Sequence, residues 1–416
     1  MHWFSEGKSA AAPAACQTAL VMLELATAQA KARRTPALGL YLHVPFCAST
    51  CDYCAFYQTQ PTAAGVRRFL AGAAREGELV AWNRPVDTVF WGGGTPGLLS
   101  VPALTELGRV VRRHSGGLPA EWSVEMAPAS VNTQRLAVLK EAGVTRISLG
   151  VQSFQPALLA ALGRRHTLAQ ALRAFDLVRT AGFSSVNLDL IFAIPNQGLE
   201  EWRADLDAAV RLAPDHISAY CLTFEEDTAL FVKLSQGRLH RDMDQETVFY
   251  TEAWERLEAA GYAQYEVSNF ARPGHQCQHN LNTWRMEEWV GLGPSATSQF
   301  GGWRSSNVAD LGQWLTEVAA GRRALVDRVE LTPRVLAEDS LIFGLRMNDG
   351  VDLPSLRTRF PTAPWENVNE LAGRLAEEGL AIMAGDGRLQ LTLRGRLLAD
   401  AVGTEIMEAM TESAQA

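Results

Sequence analysis

Cysteine is scarce in this chain, with six cysteines among 416 residues. They are too few and too unevenly placed for a disulfide framework, so we expect a reducing compartment and a cytoplasmic protein. Long apolar runs are also missing, since none approaches the ~20 residues that a membrane-spanning helix requires. The formal net charge is -8, and the lack of excess positive charge argues against nonspecific nucleic-acid binding.

The composition that remains is that of a large globular protein, with 47% hydrophobic and 20% charged residues. Residues 1–38 differ from the rest because they are rich in alanine. Gln17, Thr18 and Glu24 interrupt any apolar core of a signal peptide, and Lys8 alone is a poor basic segment before it. We therefore expect residues 1–38 to be an N-terminal extension rather than a targeting signal.

From residue 39 onward, short apolar runs alternate with amphipathic stretches, which is typical of βα units around a parallel sheet. The predicted strands are 39–44, 86–91, 122–126, 145–151, 184–192 and 216–223. The predicted helices between them are 67–82, 101–114, 131–142, 168–181 and 199–212. Six strands are too few for a closed eight-unit barrel, so we predict an α/β fold, an open six-unit (βα)6 partial barrel. Such enzymes bind ligands at the carboxyl ends of their strands.

Three of the cysteines, Cys47, Cys51 and Cys54, follow the first predicted strand within eight residues. No fourth Cys or His follows at short range, and three thiolates suit a 4Fe–4S cluster that keeps one iron open. A zinc site completed by a distant residue is the alternative, with Cys221, Cys277 or His279 as the fourth ligand. A second alternative is three unrelated buried thiols.

Polar residues also mark the ends of later strands. A glycine-rich turn that includes Gly94 and Thr95 follows the second strand, and Glu125 interrupts the apolar third strand. Gln152 follows the fourth strand, Arg164 lies shortly after it, and Asp189 lies within the fifth strand. Each alone is more often structural than functional, because buried polar residues are usually paired. Their recurrence at one edge of the sheet predicts a shared ligand site.

These motifs resemble known families. The C-x3-C-x2-C spacing after a strand resembles the radical S-adenosylmethionine (SAM) superfamily. The ordered segments 41–47, 90–96, 148–154, 162–166, 187–191 and 265–271 resemble the oxygen-independent coproporphyrinogen III oxidase-like family. The similarity covers roughly residues 39 to 400, and an ordered series of motifs is far more specific than any one of them. Within that family, the pattern is most similar to the HemW-like heme chaperones.

The resemblance implies a ligand set. Cys47, Cys51 and Cys54 would hold the cluster. The residues that match SAM-lining positions are Tyr41, Tyr53, Gly94, Thr95, Glu125, Gln152, Arg164 and Asp189. Glu125 and Asp189 would address the amine or ribose hydroxyls of SAM, and Arg164 would face its carboxylate. No catalytic residue is assigned.

Two departures favour the chaperone branch over the oxidase itself. The oxidase has a further cysteine two residues after the third, where this chain has Phe56, and its N-terminal segment has no counterpart in residues 1–38. The chaperones have a His-Asn-x-x-Tyr-Trp motif implicated in heme binding, which here is 279–284 with Thr283 in place of tyrosine. Ala296 and Thr297 stand where the family usually has Ala-His. His279 is the predicted heme ligand, His275 and Cys277 are alternatives, and a purely structural role for His279 is the other interpretation.

The motifs divide the chain. We predict a radical SAM partial barrel at 39–235, a barrel-closing α+β segment with the heme motif at 236–330, and a small winged-helix-like domain at 331–416. In the closing segment, the pattern predicts a helix at 245–260 and a strand at 262–267. In the last domain, two apolar runs flank Gly385-Asp386-Gly387, which predicts a hairpin.

The expected function is that of a heme chaperone of radical SAM type. It would bind a 4Fe–4S cluster, SAM and heme, and transfer heme to an acceptor protein, with a flavodoxin or ferredoxin as electron donor. Oxidoreductase activity is possible for such a fold but is not expected to be the main role. The alternatives are an enzyme that acts on a porphyrin, such as a decarboxylase, a ring-opening methyltransferase or another radical methyltransferase, and a zinc-binding structural module.

Overall fold

The computed structural model describes residues 37–411. Within them, the chain forms a mixed sheet of twelve strands and a second sheet of three strands. The predicted N-terminal extension lies outside the described residues, apart from its last two positions. No helix between residues 37 and 411 is long and apolar enough to cross a membrane.

Six parallel strands form the centre of the large sheet. They are β1 (Leu38–Val44), β2 (Thr88–Gly93), β3 (Glu121–Met126), β4 (Arg146–Gln152), β5 (Ser185–Phe192) and β6 (His216–Cys221). Each pairs in parallel with the next, so all six carboxyl ends lie at the same edge. The predicted open six-unit partial barrel is confirmed.

Helices connect these strands and cover one face of the sheet. They are α1 (Ala63–Leu79), α2 (Val101–His114), α3 (Thr133–Ala142), α4 (Pro156–Ala161), α5 (Leu168–Thr180) and α6 (Leu199–Leu212). Local chemistry sets their ends. The Thr167 hydroxyl and the Gln170 side chain form a capping box at the start of α5, and Gly143 ends α3 with a left-handed φ of 104°.

The two faces of the central strands differ in polarity. On β1, Leu38, Leu40 and Leu42 are fully buried under the helices. The residues that alternate with them face the barrel interior, because successive side chains of a strand point to opposite faces. That inner face is polar and includes Asn187 and His216, both buried. Parallel strands buried on both faces are normally apolar throughout, so this polarity marks an internal site.

A short hairpin extends the sheet beyond β6. The chain first forms α7 (Ala229–Ser235) and α8 (Met243–Ala259), then β7 (Ala263–Gln264) and β8 (Asn269–Ala271), with β8 antiparallel to β6. The prediction of one strand over 262–267 is wrong. The chain reverses there, because Tyr265 N donates to Asn269 O at 3.1 Å and Asn269 N donates to Glu266 O at 3.3 Å.

The other edge of the sheet is extended beyond β1. The elements are α9 (Gln278–Trp284), β9 (Glu288–Leu292), β10 (Thr297–Phe300), β11 (Trp303–Asn307), α10 (Leu311–Ala319) and β12 (Leu325–Glu330). Strand β9 is parallel to β1, and β10, β11 and β12 follow it in antiparallel order. The sequence predicted a closing α+β segment here without its individual strands.

A buried carboxylate on α1 holds this added edge in place. Glu76 is fully buried and accepts hydrogen bonds from Gly293 N at 2.8 Å and Asn307 Nδ2 at 2.7 Å. It also accepts from Trp314 Nε1 at 3.1 Å and pairs with Arg323 at 3.3 Å. A buried charge is tolerated only when it is paired and hydrogen-bonded, so these four partners are required for the packing of α1 against the closing strands.

The C-terminal region has its own hydrophobic core, built around Leu341, Leu371 and Ile406. Its elements are α11 (Pro333–Gly344), β13 (Val351–Asp352), α12 (Leu353–Arg359), α13 (Trp365–Glu377), β14 (Ala381–Met383), β15 (Arg388–Leu391), α14 (Leu393–Leu397) and α15 (Ala399–Met410). Strands β14 and β15 form the predicted hairpin, and Gly387 in its turn has a φ of 85°. Helices packed on a small antiparallel sheet agree with the winged-helix-like prediction.

Candidate functional site

The three clustered cysteines lie on one loop at the carboxyl end of β1. Backbone bonds fix this loop: Cys47 N donates to Thr59 O at 3.1 Å, and Cys54 N donates to Cys51 O at 3.2 Å. A third bond, from Asp52 N to Leu162 O at 3.0 Å, ties the loop to the end of α4. All three thiols are free and only partly buried, so they remain accessible to a ligand.

The surroundings of the thiols include a cation. The Arg164 Nη1 donates to Cys51 Sγ at 3.4 Å, and Cys47 Sγ lies 3.6 Å from Thr95 Oγ1. Burial raises the pKa of the Cys47 and Cys54 thiols, and the Arg164 charge acts in the opposite direction. Thiolates at this loop therefore need further positive charge, which bound iron supplies.

The glycine-rich turn after β2 packs directly against the start of the cysteine loop. Gly94 N donates to Val44 O at 2.9 Å, and Thr95 N donates to Phe46 O at 2.8 Å. A Cβ on Gly94 would lie 2.7 Å from both of those carbonyl oxygens, closer than real side chains approach. The glycine is required here by close backbone approach.

Two carboxylates face the interior from β3 and β5. Burial, followed by the charge of Asp189, raises the pKa of Glu125 to about 8. Burial also raises the pKa of Asp189, which accepts from Ser148 Oγ at 2.9 Å and Asn187 Nδ2 at 2.7 Å. A cationic ligand between the two carboxylates would favour their ionised forms and relieve the cost of burying them.

The predicted residues after β4 carry unpartnered polar atoms. Gln152 has a left-handed φ of 68°, which is unusual for a residue other than glycine, and its buried Oε1 accepts no hydrogen bond. Arg164 Nη2 donates to Gly150 O at 2.6 Å, while its buried Nε has no partner. Strained backbone and unsatisfied polar atoms are features of ligand sites, so these atoms support a bound group here.

Both predicted tyrosines lie at this edge. The Tyr41 ring stacks on Phe90, and its hydroxyl is 3.3 Å from His43 Nδ1. Burial, followed by the charge of Glu125, raises the pKa of Tyr41 above its usual range. Burial also raises the pKa of Tyr53, and the Arg164 charge opposes that shift. The structure thus brings all eight predicted SAM-lining residues to the edge that bears the cysteines.

Sequence reasoning missed Tyr220, the inward-facing residue near the end of β6. Its side chain is 39% exposed to open space beside the strands, yet enclosure by the surrounding protein, followed by the charge of Asp189, raises the pKa of the phenol above its usual range. The Asp189 contribution indicates that the phenol lies near the predicted SAM-binding carboxylates. The spacing along β6 could have indicated this residue, because Tyr220 lies two residues after Ser218 and four after His216, on the same inward face of the strand. Ser148 and Asn187, which donate hydrogen bonds to Asp189, were also not predicted.

Cys277 and His279, two of the alternative zinc ligands, lie at the opposite ends of the strands. Cys277 Sγ is 3.4 Å from Glu121 Oε1, at the first residue of β3. Glu121 also accepts from His279 N at 3.0 Å. Cys221 ends β6, beside Tyr250 and Glu246. Within residues 37–411, no three His, Cys, Asp or Glu side chains form a group that could hold a single metal ion.

Helix α9, which carries the predicted heme motif, plugs the amino-terminal end of the barrel. Its His279 is buried: Nδ1 lies 3.0 Å from Thr88 Oγ1, and the ring centroid is 5.5 Å from that of Phe90. Burial lowers the pKa of His279 to about 4, so the imidazole is neutral at physiological pH. A neutral imidazole with one nitrogen held by a hydroxyl matches the state of a metal-binding histidine.

Hydrogen bonds connect the two ends of the barrel. Asn187 donates to Asp189 at 2.7 Å through Nδ2, and its Oδ1 lies 2.6 Å from His216 Nδ1. His216 Nε2 lies 2.8 Å from the Tyr265 hydroxyl, which accepts from Cys277 N at 3.2 Å. Cys277 is the residue that precedes α9. This series, from Asp189 to Cys277, is called the interior network below.

A cavity of about 520 Å³ opens beside the barrel interior, and we call it the aromatic cavity. Tyr220, Trp284, Trp289 and Phe343 contribute its aromatic walls. Asn280 and Thr283 of α9 also line it, whereas His279 does not. Since Tyr220 borders both this cavity and Asp189, the cavity adjoins the predicted SAM site.

Two family models and several known relatives match this chain. The radical SAM superfamily model matches residues 41–209, and the HemN C-terminal domain model matches residues 331–398. The heme chaperone HemW of Mycobacterium tuberculosis is 38% identical, over 88% of this chain and 93% of the relative. That of Bacillus subtilis is 33% identical, over 87% and 97%. The chain belongs to the HemW heme chaperone family.

A solved structure is similar to this HemW family member in fold. Coproporphyrinogen III oxidase (HemN) from Escherichia coli, described as a radical SAM enzyme, matches with a TM-score of 0.77. The match covers 92% of this chain and 93% of the oxidase at 24% identity. At that identity, the likeness shows the shared fold: the partial barrel with its C-terminal domain.

Membership in the radical SAM superfamily implies a 4Fe–4S cluster and SAM as cofactors. The residues of this HemW family member fit both groups. Three thiols share one loop beside the Arg164 cation, and Gly94 lets the turn after β2 pack directly against that loop. Gln152 Oε1 and Arg164 Nε are unpartnered at the same edge. Which of these residues contact each cofactor stays a prediction.

Proposed function

We propose that the chain is a cytoplasmic heme chaperone that binds a 4Fe–4S cluster, SAM and heme and transfers heme to an acceptor protein. The main support is the meeting of three cysteines with Glu125 and Asp189 at one strand edge, in a chain whose relatives are named heme chaperones. A flavodoxin or ferredoxin is the proposed electron donor, since the cluster requires a single-electron reductant.

In this proposal, Cys47, Cys51 and Cys54 hold three irons of the cluster. When bound and reduced, the cluster supplies the electron that cleaves a carbon–sulfur bond of SAM. Arg164 offsets the negative charge of the thiolates and is available to the SAM carboxylate. Glu125 and Asp189 accept hydrogen bonds from the amine or the ribose hydroxyls. The remaining proposed contacts come from Tyr41, Tyr53, Gly94, Thr95 and Gln152.

His279 is the proposed axial ligand of heme iron. Its Nδ1 is held by the Thr88 hydroxyl, which leaves Nε2 as the ligand nitrogen. Burial raises the pKa of Cys277 to about 12, so that thiol is protonated and a poor ligand. His279 is preferred over Cys277 on this ground, and His275 stays an alternative ligand.

The proposed division of roles follows the predicted segments. Residues 39–235 bind the cluster and SAM, and residues 236–330 close the barrel and carry the heme motif. Residues 331–416 pack against or dock partners and do not bind nucleic acid, in agreement with the net charge of -8.

The test is an anaerobic binding and transfer assay. Reconstituted protein should contain about four irons per chain with matching sulfide. Hemin added to that protein should produce a Soret band, and mixing with an apo-b-type cytochrome should yield the holo-cytochrome spectrum. The triple variant Cys47→Ala/Cys51→Ala/Cys54→Ala is the control for the cluster. Protein that holds zinc without sulfide, or that binds no hemin, would overturn the proposal.

A second candidate function is an enzyme that acts on a bound porphyrin. The observation that favours it is Tyr220, which borders both the aromatic cavity and Asp189. A porphyrin in that cavity would lie next to SAM. Release of 5′-deoxyadenosine together with a mass change in added coproporphyrinogen would establish the enzyme. Transfer of hemin with no mass change in hemin or in coproporphyrinogen would support the chaperone function and exclude the enzyme.

A further inference from the structure

The aromatic cavity has the size and lining of a site for a flat apolar ligand. Its volume of about 520 Å³ falls within the range of small-molecule and cofactor sites. Trp284, Trp289 and Phe343 offer aromatic faces, and Met286 contributes a polarizable thioether. These side chains come from α9, the loop after it, β9 and α11, so the cavity is completed by the C-terminal region.

The charges in the cavity favour one orientation of an anionic ligand. Glu266 lies in its lining and is almost fully buried. The lining arginine, Arg304, is already engaged, because its Nη2 lies 2.7 Å from Asp339 Oδ2 and also donates to Gln299. A carboxylate on the ligand would be repelled near Glu266 and would find no free cation at Arg304.

Free cations lie on the other side of Trp284. That side chain also lines a second recess of about 330 Å³, which we call the arginine recess, with Arg285, Arg359 and Arg388 around it. Arg388 lies between Asp352, at 3.8 Å, and Asp386, at 3.9 Å. Within residues 37–411, neither Arg285 nor Arg359 lies within ion-pair distance of a carboxylate, but both lie near the half-buried Glu287. Asp349 and Asp352 also line the recess, and Arg388 offsets the charge of Asp352.

We propose that Arg285 and Arg359 bind the two propionates of a porphyrin whose ring occupies the aromatic cavity. This inference rests on the proposed heme-binding function and names the residues that would anchor the edge of the tetrapyrrole. Because His279 does not line the aromatic cavity, a ring seated there is not ligated by His279 in this structure, and the anchor and the axial ligand are tested separately. An apolar ring with two carboxylates on one edge matches an aromatic cavity that adjoins two unpaired guanidinium groups at Trp284. Guanidinium groups bind carboxylates in a bidentate manner, which fixes the ligand's orientation as well as its affinity.

The test measures porphyrin affinity of the full chain by absorbance and tryptophan quenching. Two probes are used, hemin and metal-free protoporphyrin IX, because the second has no iron and so reports the anchor independently of any axial ligand. The variant Arg285→Gln/Arg359→Gln should bind both probes at least roughly tenfold more weakly, a loss of one charge-assisted contact or more. The matched control Arg173→Gln/Arg211→Gln, on exposed positions of α5 and α6, should bind like the wild type.

Two further experiments test whether binding requires the propionate charges and whether the ring occupies the aromatic cavity. Protoporphyrin dimethyl ester, whose propionates are uncharged, should bind the wild type and the double variant equally. Ser268→Phe, which fills space in the lining of the cavity, should lose protoporphyrin binding while keeping the wild-type unfolding midpoint. Should Ser268→Phe unfold, Ser268→Val serves with the same readout.

The outcomes separate this inference from the proposed function. Hemin binding by the wild type with unchanged affinity in Arg285→Gln/Arg359→Gln overturns the propionate anchor and leaves the chaperone proposal standing. Absence of hemin binding by the wild type overturns both. A loss that is equal for the acid and the dimethyl ester also overturns the anchor, because it shows that the substitutions disturb the cavity rather than a charge contact.

Discussion

Gly94 shows how a single missing side chain shapes the cofactor edge. In the variant Gly94→Ala, the new Cβ would meet the carbonyl oxygens of Val44 and Phe46 at 2.7 Å. The turn must shift away from the cysteine loop, so we expect a stability loss of about 1–3 kcal/mol and weaker SAM binding. Equilibrium dialysis with SAM and denaturant unfolding measure the two effects.

The control is Gly117→Ala, since a Cβ there meets nothing within 4 Å. Gly117→Ala should retain wild-type SAM affinity. Equal SAM affinity for the wild type and Gly94→Ala would show that the turn after β2 does not contact the cofactor.

Glu125 gives SAM binding a pH dependence. Its pKa of about 8 means that the ligand-free carboxyl is mostly protonated at neutral pH. A cationic ligand binds the ionised form, so affinity should rise by about tenfold per pH unit up to that pKa and level off above it. The variant Glu125→Gln should lack this rise, as measured by SAM titration between acidic and alkaline buffers. A parallel pH profile in both proteins contradicts the assignment, because the SAM amine then accounts for all of it.

At the level of single residues, the sequence predicted the cysteines, Glu125 and Asp189 because a charged or metal-binding residue in an apolar run is conspicuous. Tyr220 was missed because an aromatic residue looks ordinary in a strand. The proposed anchors Arg285 and Arg359 were not predicted for a different reason: they are 74 residues apart in sequence, and only the fold brings them to one recess.

Helix α9 is held by a neutral buried histidine, and this has a consequence for acid stability. Burial lowers the pKa of His279 from 6.5 to about 4. The unfolded chain therefore binds an extra proton between those values, and stability is full above pH 6.5 and falls as the pH drops toward 4. His279→Gln should reduce the slope of unfolding free energy against pH by up to about 1.4 kcal/mol per pH unit.

The comparison for this experiment is His240→Gln at an exposed position, which should leave the slope unchanged. The same pair of variants tests heme ligation: His279→Gln should shift or lose the hemin Soret band, while His240→Gln should not. An unchanged Soret band in His279→Gln removes it as the iron ligand, and an unchanged acid slope removes it as a source of acid sensitivity.

At the level of elements, the six central strands were predictable because each is a long apolar run between amphipathic helices. The strands of the closing edge were not. β12 is exposed along nearly all its length and carries Asp327, Arg328 and Glu330, so it lacks an alternating pattern. β7 and β8 are too short to stand out, and the backbone reversal between them is set by tertiary contacts of Tyr265 and Ser268 with β6.

At the scale of the whole molecule, the packing of α1 against the closing strands depends on Glu76. In Glu76→Gln the side chain loses its charge and presents an NH2 group to four donors, so we expect a loss of about 3 kcal/mol in unfolding free energy. Denaturant unfolding of the cluster-free chain measures it. Glu78→Gln lies two residues away on the same helix and pairs only at the surface, with Arg75 and Arg113, so it should leave the midpoint nearly unchanged. Similar midpoints for both variants would show that the closing strands are held by other contacts.

The interior network implies that the two mouths of the barrel communicate. Each member from Asp189 to Cys277 has a buried partner, so displacing one group leaves the next unsatisfied. If SAM contacts Asp189 as proposed, the change there should alter the energy of the helix that bears the heme motif, and thermodynamic reciprocity then requires that heme change SAM affinity by the same factor. Tyr265→Phe removes the middle link, so paired titrations should show reciprocal coupling in the wild type and its loss in that variant. Identical coupling in both would mean that signals between the two mouths take another route.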